Sequence, residues 1–267
     1  MSQPARRIAM FDSGLGGLSV YTALRAALPD ADVFYAADTA RMPYGDRPLA
    51  QVEGYARQMI ARLRRYDPAL LVIACGTTCS AFDASGYAPP GMPALAIVDC
   101  AIAAAASASQ SGRVGVIATA ATSASGIFER KLTRYSPNIR VTSVAAPKLV
   151  PLVESGAWAS SDARRAVDEY CEPFRAAGCD AVILGCTHYP HLRRLFRESL
   201  GDGVAIIDPA QACAQSAQGL LASLAPGEGS LTFEVSGDAA DFAARASELT
   251  GVTASALRRV DFSDQVE

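Results

Sequence analysis

The sequence predicts an α/β fold, with parallel sheets flanked by helices and built from two similar units. Three observations carry this. The run Leu71-Val72-Ile73-Ala74 and its later counterpart Val182-Ile183-Leu184 are short, unbroken apolar stretches bounded by turn formers, as in strands buried on both faces. Each leads directly to a cysteine with hydroxyl-bearing neighbours, Cys75-Gly76-Thr77-Thr78 and Cys186-Thr187-His188. The third observation is a repeat: Arg113-Val114-Gly115-Val116-Ile117-Ala118-Thr119 has the shape of Arg7 to Ser13, 106 residues earlier, and the two cysteines are 111 residues apart. A drift of five residues is a small loop difference between two copies of one unit, so an internal duplication is the simplest account.

Taken in order, Arg7 to Phe11 is a strand that runs into Asp12-Ser13-Gly14-Leu15-Gly16-Gly17, a turn permitting close backbone approach to a ligand. The dinucleotide fingerprint needs a glycine or alanine where Ser19 stands, so nucleotide binding is disfavoured. A helix follows to about Leu28, then a strand over Val33 to Ala37, ending in Asp38-Thr39 and the loop Arg41-Met42-Pro43-Tyr44-Gly45. Leu49 to Tyr66 has the apolar spacing of an amphipathic helix, and Pro68 opens the strand that carries Cys75. Ala94 to Val98 reads as a fourth strand ending at Asp99. The second copy has a helix near Ser125 to Tyr135, a strand near Arg140 to Val144, a helix over Ser161 to Ala177 and the Cys186 strand. A helix from His191 to Leu200 and a strand from Val204 to Asp208 complete it. Ala210 to Leu224 is a helix that returns to the first copy, and a Pro-Gly-Glu-Gly linker at Pro226 leads to a strand-helix-strand tail. The second copy is thus inserted in the first: 1–98 with 209–267 form one domain, and 99–208 the other.

The bulk composition narrows the function. In a chain of 267 residues, 50% hydrophobic and 19% charged, a sizeable core is available, which argues against disorder. The net charge is -3 and no basic stripe exceeds Arg64-Arg65 or Arg193-Arg194, which argues against a nucleic-acid partner. The apolar run within 1–11 is too short for a signal peptide, and no window reaches the roughly 20 apolar residues of a membrane span. Without an export signal, the seven cysteines read as reduced thiols of a cytoplasmic protein. Lys131 and Lys148 are the two lysines, which leaves little room for Schiff-base cofactor chemistry.

If the two copies face one another, Cys75 and Cys186 flank one ligand from opposite sides. That geometry suits removal of a proton from one face of a carbon and its return to the other, one sulfur as thiolate base and one as thiol acid. Asp12 and His188 stand where they can tune the thiols, while Ser13, Thr77, Thr119, Thr122 and Thr187 offer hydroxyls. Other readings stand beside this one. Free cysteine is often buried core, the reading applied to Cys79, Cys100, Cys171, Cys179 and Cys213. Cys186-x-His188-x-x-His191 offers metal ligands, though at no common zinc spacing, and His191 also reads as a helix-surface residue. A single cysteine nucleophile with His188 as base leaves Cys75 without a role. Glu154 reads equally as a functional acid or a helix end.

At these residues the chain resembles the aspartate/glutamate racemase family, its glutamate racemases above all. The matching segments are Phe11-Asp12-Ser13-Gly14-Leu15-Gly16-Gly17, Asp38-Thr39-Ala40-Arg41 with Pro43-Tyr44-Gly45, Ile73-Ala74-Cys75, Pro151-Leu152-Val153-Glu154-Ser155-Gly156 and Leu184-Gly185-Cys186-Thr187-His188-Tyr189-Pro190. The resemblance implies two flavodoxin-like domains related by a pseudo-twofold, with the active site in the cleft between them. It implies a racemase that needs neither metal nor pyridoxal phosphate, acts as a homodimer, and converts L-glutamate to D-glutamate for peptidoglycan in the cytoplasm. By position, Cys75 and Cys186 correspond to the two bases, assisted by Asp12, His188 and Glu154. Asp12, Ser13, Tyr44, Gly45, Gly76, Thr77, Thr119, Thr122, Thr187 and His188 correspond to substrate contacts. One position departs from the family: Gly76 stands where the family has asparagine, and Thr78-Cys79 replace small residues. Gly76 keeps the backbone N–H and removes a side-chain donor, a loss of about 1.5–3 kcal/mol where the acceptor is charged. That departure motivates an alternative function, racemisation of another amino acid or related carbanion chemistry in a decarboxylase or isomerase. A silent glutamate-binding protein is a third.

Overall fold

The apolar runs form parallel strands, and the amphipathic stretches between them form the helices that cover the strands. The computed structural model describes residues 5–264; 1–4 and 265–267, the outer ends of the first expected domain, lie outside the described residues. In chain order the elements are β1 (Arg7–Asp12), α1 (Leu18–Ala27), β2 (Asp32–Ala37), α2 (Leu49–Leu63), β3 (Leu70–Ile73), α3 (Gly76–Ser85), β4 (Ala94–Ala96) and α4 (Ile97–Ala108). Next come β5 (Arg113–Ala118), α5 (Ala120–Ser125), α6 (Ile127–Tyr135), β6 (Arg140–Ala145), α7 (Leu149–Glu154), α8 (Ser161–Ala177), β7 (Ala181–Leu184), α9 (Arg193–Leu200) and β8 (Ala205–Ile207). The chain closes with α10 (Pro209–Leu221), β9 (Leu231–Val235), α11 (Ala239–Thr250) and β10 (Ala256–Arg259).

The strands make two all-parallel sheets, β10-β9-β2-β1-β3-β4 and β6-β5-β7-β8. The order β2-β1-β3-β4 recurs as β6-β5-β7-β8, and the register recurs with it. Ile8 pairs with Leu70 as Val114 pairs with Ala181, and Leu71 pairs with Ala94 as Val182 pairs with Ile206. The repeat seen in the sequence is therefore a repeat of strand pairing, which chance similarity of apolar runs does not require. It is the doubly wound arrangement in which ligands bind beyond the carboxyl ends of the strands.

The two units share a core. On β5, Val114 and Val116 point into the large cluster built on the six-stranded sheet, while Ile117 points away into a smaller cluster under α7, α8 and α9. Helix α10 packs on both α1 and α4, and α4 in turn packs on α6 and β7, so these helices join the halves behind the cleft.

Several boundaries differ from expectation. The strand expected over Ala94 to Val98 stops at Ala96, because Ile97, Val98, Ala101, Ile102 and Ala105 recur at helical spacing and are buried as one face of α4. The helix expected to reach Tyr66 ends at Leu63 in a 3-10 turn, and Asp67 follows in a left-handed conformation (φ 48°). The helix expected from His191 starts at Arg193 after a 3-10 turn over Tyr189–Leu192, where Pro190 supplies no backbone donor. Asp208 is not the end of a strand but the N-cap of α10, accepting from the Ala210 N–H at 3.0 Å. The helices α3, α5 and α7 had no strong apolar periodicity to announce them.

Candidate active site

The site begins where β1 ends. Asp12 is 1% exposed, and its Oδ2 accepts from the backbone N–H of Gly14 at 3.2 Å and Gly17 at 3.1 Å, closing the glycine turn on the carboxylate. The turn amides are thereby directed at Asp12. Gly16 has a separate reason to be glycine: a Cβ there would collide with the Thr187 hydroxyl and lie 2.8 Å from His188 Nδ1. The glycine turn serves contact with the other half of the molecule rather than a nucleotide.

The two cysteines occupy equivalent positions. Ala74 N–H donates to Phe11 O at 3.1 Å, and Gly185 N–H donates to Ile117 O at 2.7 Å; each cysteine is the next residue, one step past its ladder. Cys75 is the N-cap of α3, and Cys186 precedes the turn carrying Thr187 and His188. Both line one cavity of about 270 Å³ between the sheets, close to the lower end of the roughly 300–1,000 Å³ typical of small-molecule sites. All the expected residues line it: Asp12, Ser13, Tyr44, Gly45, Cys75, Gly76 and Thr77 from one half, Thr119, Thr122, Glu154, Cys186, Thr187 and His188 from the other.

The environments of the two thiols differ. Cys75 is 5% exposed, and burial, followed by the Asp12 charge, pushes its pKa up to about 12; the Thr78 hydroxyl and amide work against this. Burial also raises Asp12, partly offset by the His188 charge. Beside Cys186, His188 Nδ1 lies 3.7 Å from the sulfur, while its Nε2 meets Glu154 Oε1 at 2.5 Å. Burial alone would lower His188, but hydrogen bonds and charges from Cys186 and Glu154 outweigh it and hold the imidazolium well above its ordinary pKa. Glu154 shows the counterpart. Burial favours its neutral form, yet the His188 hydrogen bond and charge bring it below the ordinary carboxylate value. Its second oxygen, Oε2, is buried with no partner among the described residues.

Hydroxyls fill the rest of the wall. Thr77 Oγ1 lies 3.2 Å from Thr119 Oγ1 and 3.4 Å from Thr122 Oγ1, which ties the start of α3 to the start of α5 across the cleft. Thr119 also caps α5, accepting from the Thr122 N–H at 3.3 Å. Gly45 packs on Thr119, with room of only 3.1 Å for a Cβ. Among the described residues no lysine or arginine lines the cavity, so an anionic group there is met by hydroxyls, backbone N–H groups and the His188 imidazolium.

Other residues belong to the site that motif reading had not assigned a role. Asp38, fully buried, accepts from the hydroxyl of the expected contact Tyr44, from Arg41 Nε at 2.7 Å and from Ser236 Oγ at 2.7 Å, and so fixes Tyr44 at the wall. The signal was present: Asp38-Thr39 ends β2 beside Asp12-Ser13, with Ala37 paired to Asp12. Val150 and Pro151 of α7 supply apolar wall that no spacing revealed.

The alternative readings fare unequally. Cys75 and Cys186 are both free thiols. Among the described residues no group of three or more His, Cys, Asp or Glu side chains is placed to hold a metal, and His188 spends both ring nitrogens on Cys186 and Glu154. His191 is half-buried in the 3-10 turn rather than on a helix surface; burial and the His188 charge lower its pKa. Cys79, Cys100, Cys171, Cys179 and Cys213 are buried. Among the described residues no helix is long and apolar enough to cross a membrane.

Comparison with known proteins agrees with this geometry. Residues 17–217 match the family described as Asp/Glu/Hydantoin racemase. The glutamate racemase of Desulforudis audaxviator is 37% identical over 255 residues, covering 91% of this chain and 93% of that protein. The crystal structure of a glutamate racemase isoform from Bacillus anthracis superposes with a TM-score of 0.91 at 29% identity, over 98% of both chains. That of the Francisella tularensis glutamate racemase in complex with D-glutamate gives 0.87 at 27% identity, over 97% of this chain and 98% of that one.

Proposed function

The chain is a member of the Asp/Glu/Hydantoin racemase family, enzymes of the isomerase class, and on that premise we propose that it interconverts L- and D-glutamate by two-cysteine proton transfer without a cofactor. One thiolate takes the Cα proton, and the opposite thiol returns a proton to the other face of the carbanion. Thiol and thiolate have then exchanged places, and the enzyme is ready for the enantiomer. The observation that carries this reading is the equivalence of Cys75 and Cys186, each one residue past the same ladder bond and each opening on one cavity. Cys75, held as a thiol, is the acid at rest. Cys186, with His188 Nδ1 3.7 Å from its sulfur, takes the part of the opposite base. Glu154 keeps His188 charged. Asp12 and the free oxygen of Glu154 are acceptors for the substrate ammonium. Ser13, the Gly76 N–H, Thr77, Thr119, Thr122 and Thr187 are donors for its carboxylates, and Tyr44 with Gly45 closes the wall.

The same proposal takes 1–98 with 209–267 and 99–208 as the two domains, supported by the separate sheets. It places the enzyme in the cytoplasm as a homodimer that supplies D-glutamate for peptidoglycan, a part supported by the resemblance alone. The test is exchange of the Cα hydrogen of each enantiomer in deuterated water. Wild type should wash deuterium into both, and neither Cys75→Ala nor Cys186→Ala should racemise. Racemisation that survives in both variants overturns the two-base assignment; glutamate binding without exchange in wild type overturns the activity.

A further inference from the structure

The tail that follows β9 had no part in the chemistry above, yet one of its side chains crosses the cleft. Helix α11 is built on the six-stranded half. From its middle, Arg245 donates through Nη1 to the carbonyl oxygen of Glu154 at 3.0 Å, while its Nε is held by Asp241 Oδ2 at 3.0 Å. Glu154 is the last residue of α7, which belongs to the four-stranded half. A guanidinium at that point meets an unsatisfied carbonyl at the negative end of a short helix. From Glu154 the contacts continue inward through His188 to Cys186, at 2.5 and 3.7 Å. The Arg245 charge also helps keep Glu154 ionised.

We propose that Arg245 is a positioning residue, a clasp by which the tail helix of one half fixes the Glu154–His188–Cys186 series on the other half. Pulling the halves apart at the cleft mouth breaks the Arg245 contact and frees the end of α7. The His188 imidazolium then loses its fixed place beside the Cys186 sulfur. Asp241 holds the fork in position within α11, four residues away on the same face.

The inference rests on the racemase reading for its kinetic arm but not for its chemical one. Arg245 is 45% exposed at the side chain, so its replacement leaves the core intact. Arg245→Ala should lower kcat/KM roughly threefold to tenfold, the worth of one hydrogen bond from a charged donor at a half-exposed site. The fall must be equal in the two directions, because the enantiomers have equal free energy. Independently of any substrate, alkylation of Cys186 by iodoacetamide, mapped by mass spectrometry, should slow several-fold while Cys75 is unaffected. Arg245→Lys, which can still donate to the carbonyl, should restore most of both. A general structural defect would instead slow or expose both cysteines together. If Arg245→Ala alkylates Cys186 at the wild-type rate, the clasp is wrong whatever the enzyme's activity. If wild type fails to racemise but the Cys186 rate still depends on Arg245, the clasp stands and the assigned reaction falls.

Discussion

Gly76 is the position where the chain departs from the family it resembles, and the structure turns that departure into a measurable expectation. A Cβ at residue 76 would lie 2.9 Å from the backbone oxygen of Gly185, against about 3.4 Å for ordinary contact. Gly185 cannot yield easily, because its N–H is bonded to Ile117 O at 2.7 Å and Phe128 and Ala118 stand within 3.2 Å of where its Cβ would lie. Gly76→Ala therefore has to part the two cysteine-bearing loops by about 0.5 Å. Overpacking of this kind costs about 1–3 kcal/mol, which in a chain of this size lowers Tm by roughly 2–8 °C. The same displacement widens the space between the sulfurs, and since a 1 Å misplacement can cost about 10²-fold, kcat should drop by roughly tenfold. Gly76→Asn carries the same Cβ plus an amide donor. Relative to Gly76→Ala it should recover KM for glutamate if a carboxylate lies within its reach. Calorimetry gives the first number and polarimetry with each enantiomer the others. An alanine variant with wild-type Tm and kcat would show that the loops are not in the tight contact described, and the packing reason for Gly76 would be lost.

Two further expectations follow from the charges of the site. Glu154→Gln should cost about 1.5–3 kcal/mol of stability at neutral pH. In wild type the raised pKa of His188 gives stability that is full below about 6.5 and is lost as pH rises through its folded value. The lowered pKa of Glu154 gives stability that is present above its unfolded value and lost as pH falls through the folded one. Urea unfolding from strongly acidic to alkaline pH should thus show the gap between variant and wild type full between the ordinary Glu and His values, closing on the acid side only below the ordinary glutamate value of 4.5 and on the alkaline side above 6.5; a gap independent of pH refutes the ion pair. Thr78→Val removes the buried hydroxyl that opposes the rise of the Cys75 pKa to about 12. Alkylation of Cys75 by iodoacetamide, which burial of the thiol already disfavours, should slow further, with Thr78→Ser restoring it. An unchanged Cys75 rate in the valine variant refutes the contact.

How much of this was legible follows from what each residue's signal depends on. The strands were visible because burial on both faces demands continuous apolar sequence, as in Leu70–Ile73 and Ala181–Leu184, and the repeat because equivalent strands keep equivalent register. Cys75 and Cys186 could be singled out because a strand end in such a sheet is where ligands lie. Short helices such as α5 and α7 escaped because a helix of six residues has too few turns to show a period. The β4 boundary failed for the opposite reason, since Ile97 and Val98 suit a strand until their packing partners on α4 are known. Arg245 was invisible because its role depends on a contact 91 residues away, between segments with no motif in common. Gly76 was visible as an oddity, but its reason, the Gly185 carbonyl, lies on the other unit.

The repeat also explains why the site is symmetric in backbone and asymmetric in chemistry. Enantiomers have equal free energy, so the reaction demands matching geometry on the two faces of Cα, and two copies of one strand end supply it. It does not demand equal thiols. In the proposed two-thiol transfer one sulfur has to be protonated while the other is ionised, or no proton can move in either direction. Identical surroundings would leave both thiols in the same state. The chain breaks the symmetry with the residues that differ between the copies. Burial, then the Asp12 charge, favours the neutral form of Cys75, while His188, held by Glu154, sets a cation beside Cys186. The corresponding point after Cys75 is Thr77, a neutral hydroxyl two residues on, where the second copy has His188. On this argument the double variant Thr77→His with His188→Thr should not restore the wild-type state with the roles reversed, because Asp12 would still favour the neutral Cys75.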